Sequence, residues 1–227
     1  MTTAPVKSPP ETGPIVDVDH EATRVTQRRY ARLARLYDAR EWIAERAMLG
    51  RLRRAFWTLV PAGGHILEVG VGTGKNMPLY PAAARVTAID LVPAMAERAM
   101  LRATKVGANV DLALMDAQEL ALRDATFDIV AATFVFCSVP DPILGLREVR
   151  RVLRPEGRLF LMEHVRAENA VLGWIMDRVN PLAVRLSGAN INRRTVENVR
   201  AAGFDVRSVR SRAGLIRLIE AVPSADA

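Results

Sequence analysis

An apolar stretch that runs directly into a glycine-rich turn is the part of this sequence with the clearest chemical meaning. The stretch covers residues 65–69, and the turn carries glycines at positions 70, 72 and 74. Glycine lets a backbone turn tightly and approach a ligand within hydrogen-bonding distance. A second apolar stretch, residues 86–89, ends in Asp90, whose carboxylate can accept hydrogen bonds from ribose hydroxyls. Together, the turn and the acid predict a nucleoside-binding site.

The spacing of the glycines narrows the class of nucleoside. A dinucleotide fingerprint reads G-x-G-x-x-G, and its third glycine packs helix against strand below a pyrophosphate. Here the pattern is G-x-G-x-G, and Lys75 stands where that third glycine would fall. The carboxylate of Glu68, two residues before the turn, favours an ammonium or sulfonium group and disfavours a phosphate. These features favour S-adenosyl-L-methionine, which carries both cations.

Four motifs in order extend this reading to a family resemblance. They are Glu-Val-Gly-Val-Gly-Thr-Gly at 68–74, Ala-Ile-Asp at 88–90, Leu-Met-Asp-Ala at 114–117 and Phe-Asp-Ile-Val at 127–130. With these motifs, residues 30–221 resemble the class I S-adenosyl-L-methionine-dependent methyltransferases. The resemblance implies S-adenosyl-L-methionine as the cofactor and S-adenosyl-L-homocysteine as its product.

The same resemblance implies a set of cofactor-binding residues. The glycine turn would approach the methionine part of the cofactor, Asp90 would hold the ribose, and Asp116 would lie beside the adenine. Similar proteins cover the cofactor with a Tyr-Asp pair before the first strand, which Tyr37 and its neighbour match, although helical periodicity alone equally favours a core-facing Tyr37. The full predicted set is Tyr37, Glu68, Gly70, Gly72, Thr73, Gly74, Asn76, Asp90, Leu91, Met95, Asp116, Ala117, Thr133 and Phe134.

Methyl transfer from a sulfonium is an in-line displacement, so the protein contributes mainly alignment and exclusion of water. No metal is required, and we expect none, because the three histidines and Cys137 lack the spacing of metal ligands. If a general base acts, Glu163 and His164 at the end of the fifth predicted strand are the predicted catalytic residues. The alternative is that this pair only hydrogen-bonds the loop 187–194.

The pattern of elements predicts an α/β fold that positions these residues at the carboxyl ends of strands. Strands alternate with helices, which implies a doubly wound, Rossmann-like parallel sheet with helices on both faces. The family resemblance implies that this sheet has seven strands and is mostly parallel, with an antiparallel last strand. The predicted strands lie near 65–69, 85–90, 109–115, 127–134, 158–162, 204–211 and 214–221. The predicted helices lie near 93–105, 141–153, 169–186 and 192–202, with a short helix interrupted by Pro78 after the glycine turn.

The length of 227 residues and an apolar fraction of 50% fit one domain. We predict a disordered tail at 1–19, a domain at 20–222 and a short tail at 223–227. Within the domain, 20–60 would form basic amphipathic helices and 166–202 a helical lid. One cysteine, no secretory signal and no apolar run near 18 residues predict a soluble cytoplasmic protein.

Positive charge is concentrated in two flanking regions of the chain. The formal net charge is +7; residues 20–60 hold ten arginines against four acids, and residues 145–194 hold ten against five. The stretch between them, 61–144, has six basic and nine acidic residues. Arginine suits phosphate groups, so these flanks fit an anionic membrane surface. They fit solvated helix faces equally well.

Two apolar segments, residues 134–142 and 174–181, predict an apolar or amphiphilic methyl acceptor. Residues 147–157 and 162–165 resemble bacterial phosphatidylethanolamine N-methyltransferases, quinone C-methyltransferases and mammalian thiol methyltransferases. We favour N-methylation of a phospholipid headgroup, phosphatidylethanolamine, by an enzyme in peripheral contact with the inner face of an anionic membrane. The alternative is S- or C-methylation of a small apolar molecule, such as an alkyl thiol or a quinone precursor.

A non-catalytic or RNA-binding protein with the same fold is a third reading. The intact glycine turn and Asp90 stand against it, and the chain lacks the aromatic and basic interleaving of RNA platforms. Relatives that methylate nitrogen in nucleic acids carry an Asn/Asp-Pro-Pro-Tyr/Phe motif after the fourth strand, where this chain reads Thr-Phe-Val-Phe at 133–136. We therefore predict no nucleic-acid partner.

Overall fold

A seven-stranded sheet is the framework of the molecule. The computed structural model describes residues 18–212 and 214–225, without the side chains of 35–44 and 186–187. The strands are β1 (Gly63–Val69), β2 (Ala83–Asp90), β3 (Val110–Leu114), β4 (Phe127–Thr133), β5 (Leu153–His164), β6 (Phe204–Arg212) and β7 (Ile216–Pro223). Their order across the sheet is β3-β2-β1-β4-β5-β7-β6. Strand β7 pairs antiparallel with β5 and β6, whereas the other neighbouring strands pair in parallel, which confirms the predicted fold class.

Helices cover both faces of this sheet. They are α1 (His20–Ala44), α2 (Gly50–Trp57), α3 (Pro93–Val106), α4 (Pro142–Val152), α5 (Ala170–Ser187) and α6 (Thr195–Ala201). A π-helical segment, Glu45–Leu49, joins α1 to α2. None of the helices in the described part of the chain is long and apolar enough to cross a bilayer.

Alternating side chains of the strands build a core on each face of the sheet. In β1, Ile66 packs in the cluster that includes Phe56 of α2, whereas Leu67 packs in the cluster that includes Leu146 of α4. Both strand residues are fully buried. Burial on both faces explains why the central strands are continuous apolar runs in the sequence.

Two elements differ from their sequence-based predictions. The segment after the glycine turn is a single 3-10 turn, Met77–Leu79, because Gly72 and Gly74 adopt positive φ angles and Pro78 donates no backbone hydrogen bond. Strand β5 begins at Leu153 rather than at 158, because Leu153 pairs with Phe127 before the register shifts. The proline and glycine at 155 and 157 lie within that irregular start and do not delay the strand.

The predicted boundaries of the domain and its tails stay predictions. Residues 1–17 of the predicted N-terminal tail lie outside the described residues. The segment 166–202 contains α5 and α6, and the hairpin that ends the chain extends to Pro223.

Candidate functional site

A pocket opens at the carboxyl ends of β1, β2 and β4, where the doubly wound topology predicts a ligand site. The glycine-rich turn forms one wall, and the loop that follows β4 forms another. The lining residues are Thr26, Tyr30, Arg53, Val69, Gly70, Val71, Gly72, Thr73, Lys75, Ile89, Asp90, Leu91, Val92, Met95, Met115, Asp116, Ala117, Thr133, Phe134, Val135, Ser138, Val139 and Pro140.

Asp90 ties the end of β2 to the glycine-rich turn. The backbone N–H of Gly72 donates to Asp90 Oδ2 at 2.8 Å, and the backbone N–H of Val92 donates to Oδ1 at 2.8 Å. Burial raises the pKa of Asp90, and these backbone hydrogen bonds act against that rise. The carboxylate is therefore held in place at the pocket wall, where each oxygen can accept a further bond.

The glycines of the turn leave this pocket wall without side chains. A Cβ atom on Gly70 would lie 2.5 Å from Val135 Cγ2, so the β1 and β4 turns can approach only without a side chain there. Gly72 has a φ of +56°, and a Cβ added to it would meet no protein atom within 4 Å. A side chain at 72 would thus extend toward the pocket that Gly72 lines.

Asp116 sits on the adjacent wall and is held by Thr23 of α1 and by Gln118, two residues further along the chain. Its oxygens accept hydrogen bonds from Thr23 Oγ1 and from the backbone N–H of Gln118, both at 2.9 Å. The Gln118 side chain also donates to Asp116 at 3.1 Å. Because Thr23 belongs to α1, the N-terminal helix closes over the strand ends beside the pocket.

Glu68 lies beneath the glycine turn and is fully buried. Asn76 Nδ2 and the Tyr80 hydroxyl donate to its two carboxylate oxygens. Burial raises the pKa of Glu68 to about 7, and these hydrogen bonds oppose the rise. Glu68, Gly74 and Asn76 lie outside the pocket lining. Glu68 and Asn76 lie below the turn and support its shape, and Gly74 belongs to the turn but faces Met77 and Ala99.

Arg53 of α2 is a pocket residue that the sequence-based analysis missed. It is buried, and its Nη1 donates to Thr133 Oγ1 at 2.8 Å and to Asn76 Oδ1 at 3.1 Å. Its Nε bonds Glu45 at 3.1 Å, and Glu45 also pairs with Lys75 at 3.6 Å. Two cations therefore line the pocket at the glycine turn. One signal could have found Arg53, namely a charged residue among the apolar positions of an amphipathic helix.

Tyr30 and Ser138 form the polar part of the opposite wall. Their hydroxyl oxygens are 2.5 Å apart, which joins α1 to the loop after β4. Phe134 at the start of this loop has a φ of +60°, a strained conformation for a residue with a side chain. Val139 and Pro140 complete the wall with apolar surface.

The predicted catalytic pair lies beside this loop and outside the pocket lining. Glu163 is fully buried, and its Oε1 accepts hydrogen bonds from the backbone N–H groups of Val135 and Phe136 at 2.8 and 3.0 Å. Burial raises its pKa to about 7. The ring of His164 lies 5.1 Å from that of Phe134, and partial burial of the imidazole lowers the pKa of His164. A proton-transfer role for either residue stays a prediction.

Ten of the fourteen predicted cofactor-binding residues line the pocket. They are Gly70, Gly72, Thr73, Asp90, Leu91, Met95, Asp116, Ala117, Thr133 and Phe134. The side chain of Tyr37 lies outside the described residues. Among the residues that the structure describes, no group of three or more His, Cys, Asp or Glu side chains could hold a metal ion.

Residues 67–161 match the model of a protein family described as "Methyltransferase domain". The matched segment contains all four motifs, and over it the chain is similar to the S-adenosyl-L-methionine-dependent methyltransferases, which implies S-adenosyl-L-methionine as the cofactor. This confirms the resemblance inferred from the four motifs.

The names of similar proteins specify different methyl acceptors. Phosphatidylethanolamine N-methyltransferase of Cereibacter sphaeroides is 39% identical over 115 residues, which is 50% of this chain and 57% of that protein. Human thiol S-methyltransferase TMT1A is 36% identical over 153 residues, which is 61% of this chain and 59% of that protein. This chain thus aligns with little more than half the length of either relative.

A solved structure supports the fold of the methyltransferase domain. It is a S-adenosyl-L-methionine-dependent methyltransferase from Thermotoga maritima, titled a possible histamine N-methyltransferase. The TM-score is 0.68 at 21% sequence identity, and the match covers 87% of this chain and 99% of that one. At this identity the likeness concerns the fold alone.

Proposed function

We propose that this chain transfers the methyl group of S-adenosyl-L-methionine to a phospholipid amine, with phosphatidylethanolamine as the favoured acceptor. The observation that carries the methyl-transfer part is the pocket in which Asp90 is bonded to the backbone of Gly72. The acceptor is supported by the 39% identity with a phosphatidylethanolamine N-methyltransferase and by the basic flanks of the chain.

The residues of the pocket fit the cofactor in charge and shape. Asp90 would accept hydrogen bonds from the ribose hydroxyls, and Asp116 with Ala117 would border the adenine. Arg53 and Lys75 would face the carboxylate of the methionine part, since both cations line the pocket at the glycine turn. When bound, the cofactor supplies an activated methyl group on a sulfonium.

The protein's contribution is alignment and exclusion of water. We assign the wall of Tyr30, Ser138 and Val139 to the acceptor, because it contains none of the residues assigned to the cofactor. An amine must reach this wall with a free electron pair, because the methyl group is transferred to that pair. Holding the two reactants in line can lower the barrier by about 7–11 kcal/mol.

Lipid analysis of a bacterial host without phosphatidylcholine tests the acceptor. Expression of the full chain should produce mono-, di- or trimethylated phosphatidylethanolamine in the mass spectrum of the host lipids. The Asp90→Ala variant, expressed to the same level, should leave those lipids unmethylated. An unchanged lipid profile with the unmodified chain would contradict the proposal.

A small thiol or other apolar molecule is the second candidate acceptor. The match with human thiol S-methyltransferase TMT1A covers more of this chain than the match with the lipid enzyme, 61% against 50%. The apolar surface of Val139 and Pro140 in the pocket also suits a small apolar acceptor. Methylation of alkyl thiols added to the same cultures, without methylated lipid, would favour this alternative.

A further inference from the structure

Helix α5 contacts the protein through the buried Gly173 and Met176 and through polar side chains beside them. Asn180 donates to Asn190 at 3.0 Å and accepts from the backbone N–H of Ile191 at 2.9 Å. Asp177 pairs with Arg166 at 2.8 Å. These polar contacts attach α5 to the loop that follows it and to the end of β5.

The opposite side of α5 exposes large apolar side chains, and we call it the outward face. Six residues of this face are between 44% and 68% exposed. They are Val171, Leu172, Trp174, Ile175, Val179 and Leu182. Their spacing of three, four and seven residues aligns them along one side of the helix. A contiguous apolar surface of this kind marks an interaction site rather than scattered exposure.

The charges on the outward face indicate its partner. Arg178 and Arg185 are exposed, and at 100° per residue they fall within the same arc as the apolar residues. The guanidinium of Arg178 lies 4.8 Å from the ring centre of Trp174. The one acid of α5, Asp177, is engaged by Arg166 on the protein side. The outward face is therefore apolar and cationic, with no anion of its own.

This combination fits an anionic lipid surface better than a second copy of the chain. A two-fold contact between two outward faces would bring arginines together without an acid to pair them. Tryptophan and arginine are the side chains that suit the boundary between headgroups and acyl chains. A cationic amphipathic helix binds there through apolar burial and attraction to anionic lipid.

The C-terminal end of α5 is connected to the acceptor wall of the pocket. Gly188, which ends α5, packs so close to Tyr30 that an added Cβ would lie 3.1 Å from its ring. The backbone N–H of Asn190 donates to the Cys137 carbonyl at 2.9 Å, next to the lining residue Ser138. A surface that receives α5 would therefore lie beside the wall that we assign to the acceptor.

We propose that the outward face of α5 docks the enzyme on an anionic membrane surface and thereby presents the pocket to lipid headgroups. The docking deepens the proposed function and rests on it for its biological purpose. The contact itself needs no methyl transfer, so the two can be tested separately.

Vesicle co-sedimentation of the full chain tests the docking. The probes are vesicles of phosphatidylethanolamine with phosphatidylglycerol and vesicles of neutral phosphatidylcholine. We expect binding to the anionic vesicles, and a loss of about ten-fold or more when Leu172, Ile175 and Leu182 are each changed to Gln. The control changes Met100 and Leu101 of α3, which are 57% and 73% exposed, to Gln, and should bind as the unmodified chain does.

A second pair of variants tests the charge. Arg178→Gln with Arg185→Gln should weaken binding to the anionic vesicles, whereas Arg207→Gln with Arg210→Gln, exposed on β6, should leave it unchanged. Calorimetric binding of S-adenosyl-L-homocysteine confirms that each variant is folded. Equal sedimentation of the α5 variants and the unmodified chain would overturn the proposal. So would a dimer in solution that the α5 variants dissociate while vesicles bind none of the proteins.

The outcomes separate docking from the proposed reaction. Vesicle binding through α5 with no methylated lipid would defeat the assigned acceptor and leave the docking surface intact. Methylated lipid with unchanged vesicle binding in the α5 variants would defeat the docking surface and leave the reaction intact.

Discussion

Three buried carboxylates shape the pocket region, and each is fixed by a different set of donors. Asp90 is bonded by backbone N–H groups at the pocket wall, Glu68 by side chains beneath the turn, and Glu163 by the backbone of the loop after β4. Burial raises the pKa of all three, to about 7 for Glu68 and Glu163. The hydrogen bonds stabilise the charged form of each buried carboxylate and fix the segments that donate them.

The raised pKa of Glu163 predicts a pH-dependent stability. A carboxyl group with a raised folded-state pKa binds its proton more readily when folded, so the free energy of unfolding falls as pH rises from about 4.5 to about 7. Glu163→Gln removes this contribution. We expect the variant to gain stability relative to the unmodified chain across that range, by up to about 3 kcal/mol.

Denaturant unfolding at pH 5 and pH 8 measures this effect. The exposed Glu156, changed to Gln, is the control and should not alter the difference between the two pH values. If Glu163→Gln shifts stability by the same amount at both pH values, the carboxyl group does not titrate as described.

The position of Arg53 in the pocket predicts that its substitution weakens cofactor binding selectively. If its guanidinium faces the carboxylate of the methionine part, Arg53→Gln should weaken S-adenosyl-L-homocysteine binding by about 10- to 100-fold. Binding of 5′-methylthioadenosine, which lacks that carboxylate, should change little in calorimetry. The neighbouring, exposed Arg54→Gln is the matched control. Equal losses for both ligands would show that Arg53 only supports the fold.

The residues that could be predicted from the sequence are those fixed by local geometry. Gly72 and Asp90 stand at the ends of adjacent strands, and their spacing alone brings them together. Arg53 and Tyr30 could not be placed in this way, because they come from helices and contact residues 80 and 108 positions away. Helix packing on a sheet, rather than chain periodicity, decides such contacts.

At the scale of elements, α4 shows how one side chain sets the start of a helix. Asp141 accepts hydrogen bonds from the backbone N–H groups of Ile143 and Leu144 at 2.9 and 3.0 Å. Asp141→Ala should cost about 1 kcal/mol of unfolding free energy, whereas Asp141→Asn should retain most of the cap. Thermal or denaturant unfolding checks both values. Equal stability of the Ala and Asn variants would contradict the capping role.

The type and order of the helices and strands were predictable from the sequence, but the start of β5 and the exposed face of α5 were not. Continuous apolar runs identify strands in the sequence, and the cap at Asp141 and the first-turn proline Pro93 identify helix starts. The early start of β5 depends on its pairing with β4, which no local pattern records. The apolar outward face of α5 likewise could not be identified without knowing which side of the helix packs on the protein.

At the scale of the whole molecule, acidic and basic residues are concentrated in different parts of the fold. The central stretch 61–144, which supplies most of the pocket, has a slight acidic excess, while the flanking helices carry the arginines. One of these flanks contributes Arg53 to the pocket, and another contributes the arginines of α5. The fold thus places most of the predicted cofactor-binding residues at or just beyond the carboxyl ends of the strands, and additional cations on the flanking helices.

Calorimetric titration of S-adenosyl-L-homocysteine is the most direct test of the methyltransferase assignment. The full chain should bind one equivalent, and Gly72→Leu should weaken binding by about 100-fold or more, because its side chain would enter the pocket. Gly107→Leu is the matched control, since Gly107 also has a positive φ and open space around its Cβ position. It should bind nearly as the unmodified chain does. No binding by the unmodified chain, or equal binding by Gly72→Leu, would contradict the account.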